Sequence, residues 1–248
     1  MKWEKLSLKD KVDLMKLYIQ NGFTNLSEIK NHYNSFDSTN LFRDGGRKNS
    51  VTAPEYRNTH KQYGFLNYIG ATDPKGNREG NAKKWDDLHR RIEYGITKGW
   101  TPEQIGAIIA NDATESGLIE DNNQSGGDRA IGAFQMHGAE LKDYNRKYNE
   151  DYDFRNQYDH VDSLIRFDNR GLPAGRKAKV VNGKTLYKYQ TGENMRRVWN
   201  NKNSSSGDIA ESFIGFFERP GKPKIELRRN RADSIANYVK RNYKIIKK

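Results

Sequence analysis

The sequence predicts a mainly α-helical domain of the α+β kind, and three observations carry that prediction. Apolar residues recur at helical spacing after about residue 83, as in Trp85, Leu88, Ile92 and Ile96. Helix boundaries are marked by capping residues: "WTPEQIGAIIANDATESG" places Thr101 at an N-cap, Pro102 at the first helical position and Gln104 where it completes a capping box. The β signal is confined to short pieces, and "AKVVNGKTLYKY", with Asn182 and Gly183 between two β-prone arms, is the strongest hairpin signal among them.

Taken in order, "LSLKDKVDLMKLYIQNGFTNLSEIKNHY" sets Leu8, Val12, Met15 and Ile19 on one helical face, stops at Gly22 and restarts near Asn25. Residues 1–34 are therefore expected to form a helical hairpin. It lacks a third helix and is read as a docking or packing unit rather than a DNA reader. Residues 35–82 are rich in Asn, Gly, Ser, Thr and charge, show neither period, and read as a polar linker. Within it, "QYGFLNYIG", Gln62–Gly70, is apolar enough to be pinned against a neighbour. Residues 83–248 are the main domain. Its first helix carries Trp85 to Ile96 and closes at Gly99. The next buries Ile105, Ile108, Ile109 and Ala113 and stops at Gly117. Further helices are expected over "GAELKDYNRKYN", "NQYDHVDSLIRFD", "ENMRRVWN", "GDIAESFIGFFERP" and "KIELRRNRADSIANYVKRNY".

Composition limits the chemistry. A chain of 248 residues has room for one substantial domain and an appendage. Leu, Ile, Val and Phe make up just under a fifth of it, so part of the chain is expected not to pack, although 14 Tyr, 10 Phe and 4 Trp supply large buried areas elsewhere. A net charge of +12 predicts attraction to polyanions, a class that includes acidic wall polymers, nucleic acid and anionic membranes. The absence of cysteine excludes disulfides, thiolate metal sites and a cysteine nucleophile. No run of 18 apolar residues occurs, so no membrane span is expected, and the first residues lack the apolar core of an ordinary export signal. His32, His60, His89, His137 and His160 show no H-E-x-x-H spacing and there is no glycine-rich phosphate loop, so neither a metal nor a cofactor is expected.

The stretch that carries chemistry is "NDATESGLIEDNNQSGGDRAIGAFQMHG", residues 111–138. Glu115 lies in the last turn of its helix, seven residues after Ile108 and so on nearly the same face. An apolar setting and the negative end of a helix both disfavour an ionised carboxylate, and a carboxyl that keeps its proton is what a general acid needs. On its own it reads first as an ordinary solvated helix carboxylate, and the stretch that follows is what favours the catalytic reading. After Gly126 and Gly127, Asp128 precedes "RAIGAFQ", where Gly132 and Gln135 flank Phe134. A helix end, a polar turn and a short strand would thus bring carboxylates, an amide and an aromatic face together, which is a sugar site in outline.

"ATESG" followed about fifteen residues later by "GAFQ" resembles the lysozyme-like superfamily, in particular the phage tail lysozyme group of peptidoglycan hydrolases. "ESFIGFFERPGKPKIELRRNRA" is similar to the closing helices of that group, so the resemblance spans roughly residues 85–242. It implies a lysozyme-like fold with a small β-hairpin and a muramidase acting on the glycan strands of peptidoglycan. Glu115 would be the general acid, with Gly132 and Gln135 in the substrate cleft; Phe134, His137, Tyr144 and Trp199 are candidates to line it, although aromatic residues such as Phe134, Tyr144 and Trp199 more often belong to the core. Goose-type lysozymes are similar in placing an Asp about thirteen residues after the catalytic Glu, which implies Asp128 as the second catalytic carboxylate, activating a water on the far face of the sugar. Asp128 after Gly-Gly also suits a plain turn residue. An acidic residue that the goose-type group carries beyond the glutamine is His137 here, a departure from the pattern. Asp112, Glu120 and Asp121 are the lesser carboxylate candidates. Without a second carboxylate, the substrate's acetamido group would assist, giving hydrolysis or an anhydro product as in lytic transglycosylases. Glu218, in "FFERP", either supports the site through Arg219 or forms an internal ion pair. The lack of an ordinary export signal, the charge of +12 and the added N-terminal hairpin and linker agree with a protein made in the host cytoplasm and carried by the virion, with the hairpin contacting other virion proteins. A free endolysin and a non-enzymatic tail or capsid-internal structural protein are the competing readings.

Overall fold

The computed structural model describes residues 59–122, 130–167, 179–188, 190–218 and 223–243, together with Leu8, Lys11, Val12, Met15, Leu26 and Ser27. Along the continuous part run α1 (Thr59–Tyr68), α2 (Arg78–Thr97), α3 (Pro102–Glu115), α4 (Gly138–Tyr148), α5 (Phe154–Phe167), β1 (Lys179–Val181), β2 (Lys184–Tyr187), α6 (Gly192–Asn200), α7 (Ser206–Phe213) and α8 (Ile225–Asn242). One π-helical turn, Ile214–Glu218, extends α7.

Local chemistry accounts for the boundaries. Thr101 accepts from the Gln104 backbone N–H while the Gln104 side chain accepts from the Thr101 N–H, so the capping box is complete. Ser205 and Asp208 form a second capping box at the start of α7. Asn182 and Gly183 both take positive φ between β1 and β2, as a two-residue hairpin turn requires.

Helix α3 is the centre of the domain, with Ile105, Ala107, Ile108, Ile109 and Ala110 fully buried, and α7 and α8 pack directly on it. Gly106 makes the close approach of α8 possible. A Cβ at that position would stand 2.6 Å from Ser206 Oγ and nearer still to the Ala232 carbonyl oxygen. On its side, α8 contributes Ala232, Ile235, Ala236 and Val239. A second half of the core is aromatic: Trp100 stacks on Tyr158 with centroids 6.0 Å apart, and Trp199 meets Trp100 edge-on at 5.4 Å. Among the described residues the domain is mainly helical with one two-stranded hairpin, in keeping with the fold class read from the sequence.

The polar-linker reading of residues 35–82 is corrected over its second half, residues 59–82. Leu66, Ile69 and Ala71 are fully buried, Phe65 of α1 stacks on Tyr238 of α8 at 5.2 Å, and α2 begins at Arg78 rather than near residue 83. A ten-residue helix with so few inward positions produces no visible period, and its place is decided by docking, so the pinned apolar segment Gln62–Gly70 is the informative clue. Residues 35–58 lie outside the described residues. So does the N-terminal hairpin apart from the six described positions, which are helical. Among the described residues, no helix is long and apolar enough to cross a membrane.

Candidate active site

Glu115 is the last residue of α3, held there by the Ser116 C-cap and the positive φ of Gly117 and Leu118. Its side chain is 18% exposed, so it is largely covered but not closed off from solvent. The dry apolar setting expected for it is corrected: Arg228 of α8 places its Nη2 against Glu115 Oε1. The same guanidinium places Nη1 on Glu218 Oε2 and donates to Asn111 Oδ1 at 2.7 Å, and its Nε donates to the Pro223 carbonyl at 2.9 Å. Arg228 is 1% exposed and the Glu218 side chain 2%. Burial, together with the charges of Glu115 and Asp112, pushes the Glu218 carboxyl up to about 8 against the pull of Arg228. Glu218 Oε1 is buried without a hydrogen-bond partner among the described residues.

A second buried network fixes the end of α3. Arg91 of α2 donates from Nε to Asp112 Oδ2 at 2.6 Å, Tyr158 donates its hydroxyl to the same oxygen at 3.0 Å, and Ser116 donates to Asp112 Oδ1 at 2.7 Å. Arg91 Nη2 also donates to the Leu118 carbonyl at 3.2 Å, and the Ile119 N–H donates to Ser116 Oγ at 3.1 Å. Burial works against the Arg91 charge, and the adjacent Asp112 more than restores it. The segment leaving Glu115 is thereby tied to α2 and α5. Asp112 is thus structural, with no exposed surface. Glu120 lies 3.5 Å from Arg90 and 3.9 Å from Arg91, and burial pushes its carboxyl up; Asp121 is exposed.

The glycine-to-glutamine turn folds as a tight loop. Ile131 and Met136 exchange backbone hydrogen bonds at 2.9 and 2.8 Å. Gly132 has φ +89°, and a Cβ there would collide with the Gln157 side-chain oxygen, which accepts from the Ala133 N–H at 2.7 Å. Gln135 donates from Nε2 to the Gly132 carbonyl at 2.8 Å and to the Asn122 carbonyl at 3.0 Å, while Gly132 N–H donates to that Asn122 carbonyl at 3.0 Å. Gln135 therefore ties the turn to the segment that follows Glu115. Its Oε1 is buried and has no partner among the described residues.

The remaining candidates separate clearly. Asp128 lies outside the described residues, as do Gly126, Gly127 and Arg219. His137 is exposed at the N-cap of α4 and makes no side-chain capping bond. The cleft-lining expectation for Phe134, Tyr144 and Trp199 is corrected, because all three are core residues. Phe134 packs among Tyr158, Phe213 and Phe217 at 5.5 to 5.9 Å. Tyr144 is fully buried against Tyr148, Tyr152 and His160, with its hydroxyl on the Asp151 carbonyl. Large aromatics bury more area than any residue of similar polarity, and packing claims them first. Glu140, Asp143 and His160 bring ligand-type atoms within 4.8 Å of one another, and these atoms already serve a His160–Glu140 contact of 2.6 Å and an Asp143–Arg146 ion pair. A pocket between β2, α6 and α7, lined by Thr185, Lys188, Gln190, Asp208 and Ser212 among others, contains neither Glu115 nor Gln135.

Arg228, Arg91 and Tyr158 are not singled out by sequence, although a signal for the arginines exists. Arg228 falls on the stripe of Ala232, Ile235 and Val239, and Arg91 on that of Trp85, Leu88 and Ile92. A charge in an apolar stripe is the same pattern that picks out Glu115.

A helical domain in which a glutamate ends the central helix, followed by a short turn closed by glycine and glutamine, defines a lysozyme-like protein. This chain belongs to the phage tail lysozyme family, whose profile matches residues 89–239. That span covers the later half of α2, all of α3, the Gly132–Gln135 turn, Glu218 and most of α8. No curated protein and no solved structure matches the chain. Membership of this family suggests a phage-associated protein with a lysozyme-like action on peptidoglycan.

Proposed function

We propose that the protein is a muramidase that cleaves the glycan strands of peptidoglycan, with Glu115 as the general acid, and that the virion carries it for wall penetration. The observation that carries the reading is the position of Glu115: in a phage tail lysozyme domain, a partly exposed glutamate ends the central helix and is held by a buried arginine that also holds Glu218. The acid would deliver its proton to the glycosidic oxygen as the bond to the leaving sugar breaks. Gln135 and Gly132 shape the adjoining turn, and His137 lies exposed beside it. Asp128 is the proposed base for a water attacking from the opposite face. The net charge of +12 would concentrate the enzyme at an anionic wall. The N-terminal segment, residues 1–34, is the proposed contact with other virion proteins.

The test is digestion of purified peptidoglycan with mass spectrometry of the released fragments. Wild type should release muropeptides. Glu115→Gln should melt near the wild-type temperature and lose roughly 100-fold or more in rate, the scale of general acid catalysis. Near-normal digestion by that variant would sink the assignment. Asp128→Asn separates the mechanisms: collapse of activity in a folded protein supports the water-activating base, whereas retained activity returns Asp128 to a turn role.

A further inference from the structure

Arg228 is almost fully buried, so its charge requires a carboxylate against it in every working state of the enzyme. Among the described residues two are present, Glu115 on Nη2 and Glu218 on Nη1, while the other partners there, Asn111 Oδ1 and the Pro223 carbonyl, are neutral. If Glu115 is the general acid, the premise on which this inference rests, the reactive form carries a proton on Glu115. In that form Glu115 no longer balances Arg228. We propose that Glu218 is a positioning residue for the reaction: it is the counter-ion that holds Arg228 while Glu115 carries its proton, so the two carboxylates share one proton across a single guanidinium.

The surroundings fit this role. Glu218 faces Glu115 and Asp112 from α3 and Arg228 from α8, and Asp112 is already paired with Arg91 of α2. Arg231, three residues along α8, bonds Thr114 Oγ1 at 2.8 Å and is a further positive charge that interacts with Arg228. Thus Arg228 is the cation in contact with Glu218 and Glu115 alike. A carboxylate meant to stay ionised normally has both oxygens bonded, yet Glu218 Oε1 has no partner among the described residues. The charge of Glu115 is one cause of the upward push on Glu218 to about 8, so a proton on Glu115 makes ionisation of Glu218 easier. The carboxylate also sits in a π-helical turn, an irregularity often found at functional sites. The proton of Glu115 ends on the leaving hydroxyl, and Glu218 neither gives nor takes one during that step. Arg228 then faces two carboxylates, and uptake of one proton from water resets the pair.

The experiment is the pH dependence of peptidoglycan clearing by the full chain, compared for wild type, Glu115→Gln and Glu218→Gln, with melting temperatures recorded in parallel. In Glu218→Gln, protonating Glu115 leaves Arg228 without a counter-charge. The alkaline limb of the profile should therefore move to lower pH by at least about one unit, with activity at least about tenfold lower near neutrality and recovered toward acid pH. A folded Glu218→Gln protein whose limb coincides with that of wild type overturns the proposal, as does a uniform loss at every pH. Failure of the underlying reading is seen separately, as activity retained by Glu115→Gln. Should Glu218→Gln not fold, carbon-13 carboxyl shifts of the wild-type chain decide the matter: Glu115 and Glu218 should move together in the same two pH steps, and one independent step for each overturns the proposal.

Discussion

Replacing Asp112 by alanine should destabilise the domain more than almost any other single change at the end of α3. The variant removes the carboxylate that accepts from Arg91 at 2.6 Å, from Tyr158 at 3.0 Å and from Ser116 at 2.7 Å, and none of the Arg91 or Asp112 side chain is exposed. Among the described residues, Arg91 would keep the carbonyls of Asp87 and Leu118, at 3.3 and 3.2 Å, the more distant Glu120 carboxylate at 3.9 Å and the Phe154 ring, 4.8 Å from its guanidinium carbon. Breaking one half of a buried pair costs about 3–5 kcal/mol, because the surviving charge is left in a medium that solvates it poorly. Glu120 places the expectation toward the lower end of that range. A domain of this size shifts by about 2–4 °C per kcal/mol, so melting should fall by about 6–15 °C. Urea unfolding of wild type, Asp112→Ala and the double variant Arg91→Met with Asp112→Leu measures it. The double variant should recover most of the loss, since an apolar pair needs no counter-charge. A loss under about 1 kcal/mol in the single variant, or no recovery in the double, refutes this reasoning.

Three other outcomes are expected. Gly106→Val should lower stability by about 3 kcal/mol or more, because its side chain would enter the space taken by Ser206 Oγ and the Ala232 carbonyl; near-normal unfolding would mean that α8 shifts freely. The Glu218 carboxyl is raised from its ordinary range to about 8 in the folded state, so its stabilising contribution is full below about pH 4.5 and is lost as the pH rises through about 8. Relative to Glu218→Gln, wild type should therefore weaken between about pH 5 and about pH 9 in urea unfolding, and a flat difference would contradict the assignment. A chain beginning at Thr59 should fold and digest peptidoglycan yet fail to enter particles. One beginning at Gly80 should lose about 3–6 kcal/mol, since it lacks Leu66 and Ile69 from the core; equal melting of the two would show that α1 contributes nothing.

Elements whose cause lies within a few residues are legible in the sequence itself. Thr101, Pro102 and Gln104 specify the start of α3 because a capping box needs only residues three apart, and Asn182-Gly183 specifies its hairpin because the turn itself demands positive φ. The place of Glu115 at a helix end follows from Gly117, two residues away. What surrounds Glu115 is not legible there. Arg228 is 113 residues distant in the chain, and it reaches the carboxylate because α8 packs on α3 at backbone distance over Gly106. The docking of α1 is hidden for the same reason, since it depends on Tyr238 and the core rather than on a period of its own. Phe134 and Tyr144 illustrate the limit from the other side: an aromatic ring near a site reads alike whether it faces a sugar or a core. Local rules act along the chain through hydrogen bonds between near neighbours, whereas burial and ion pairing are decided by which helices meet, and only the tertiary packing sets that.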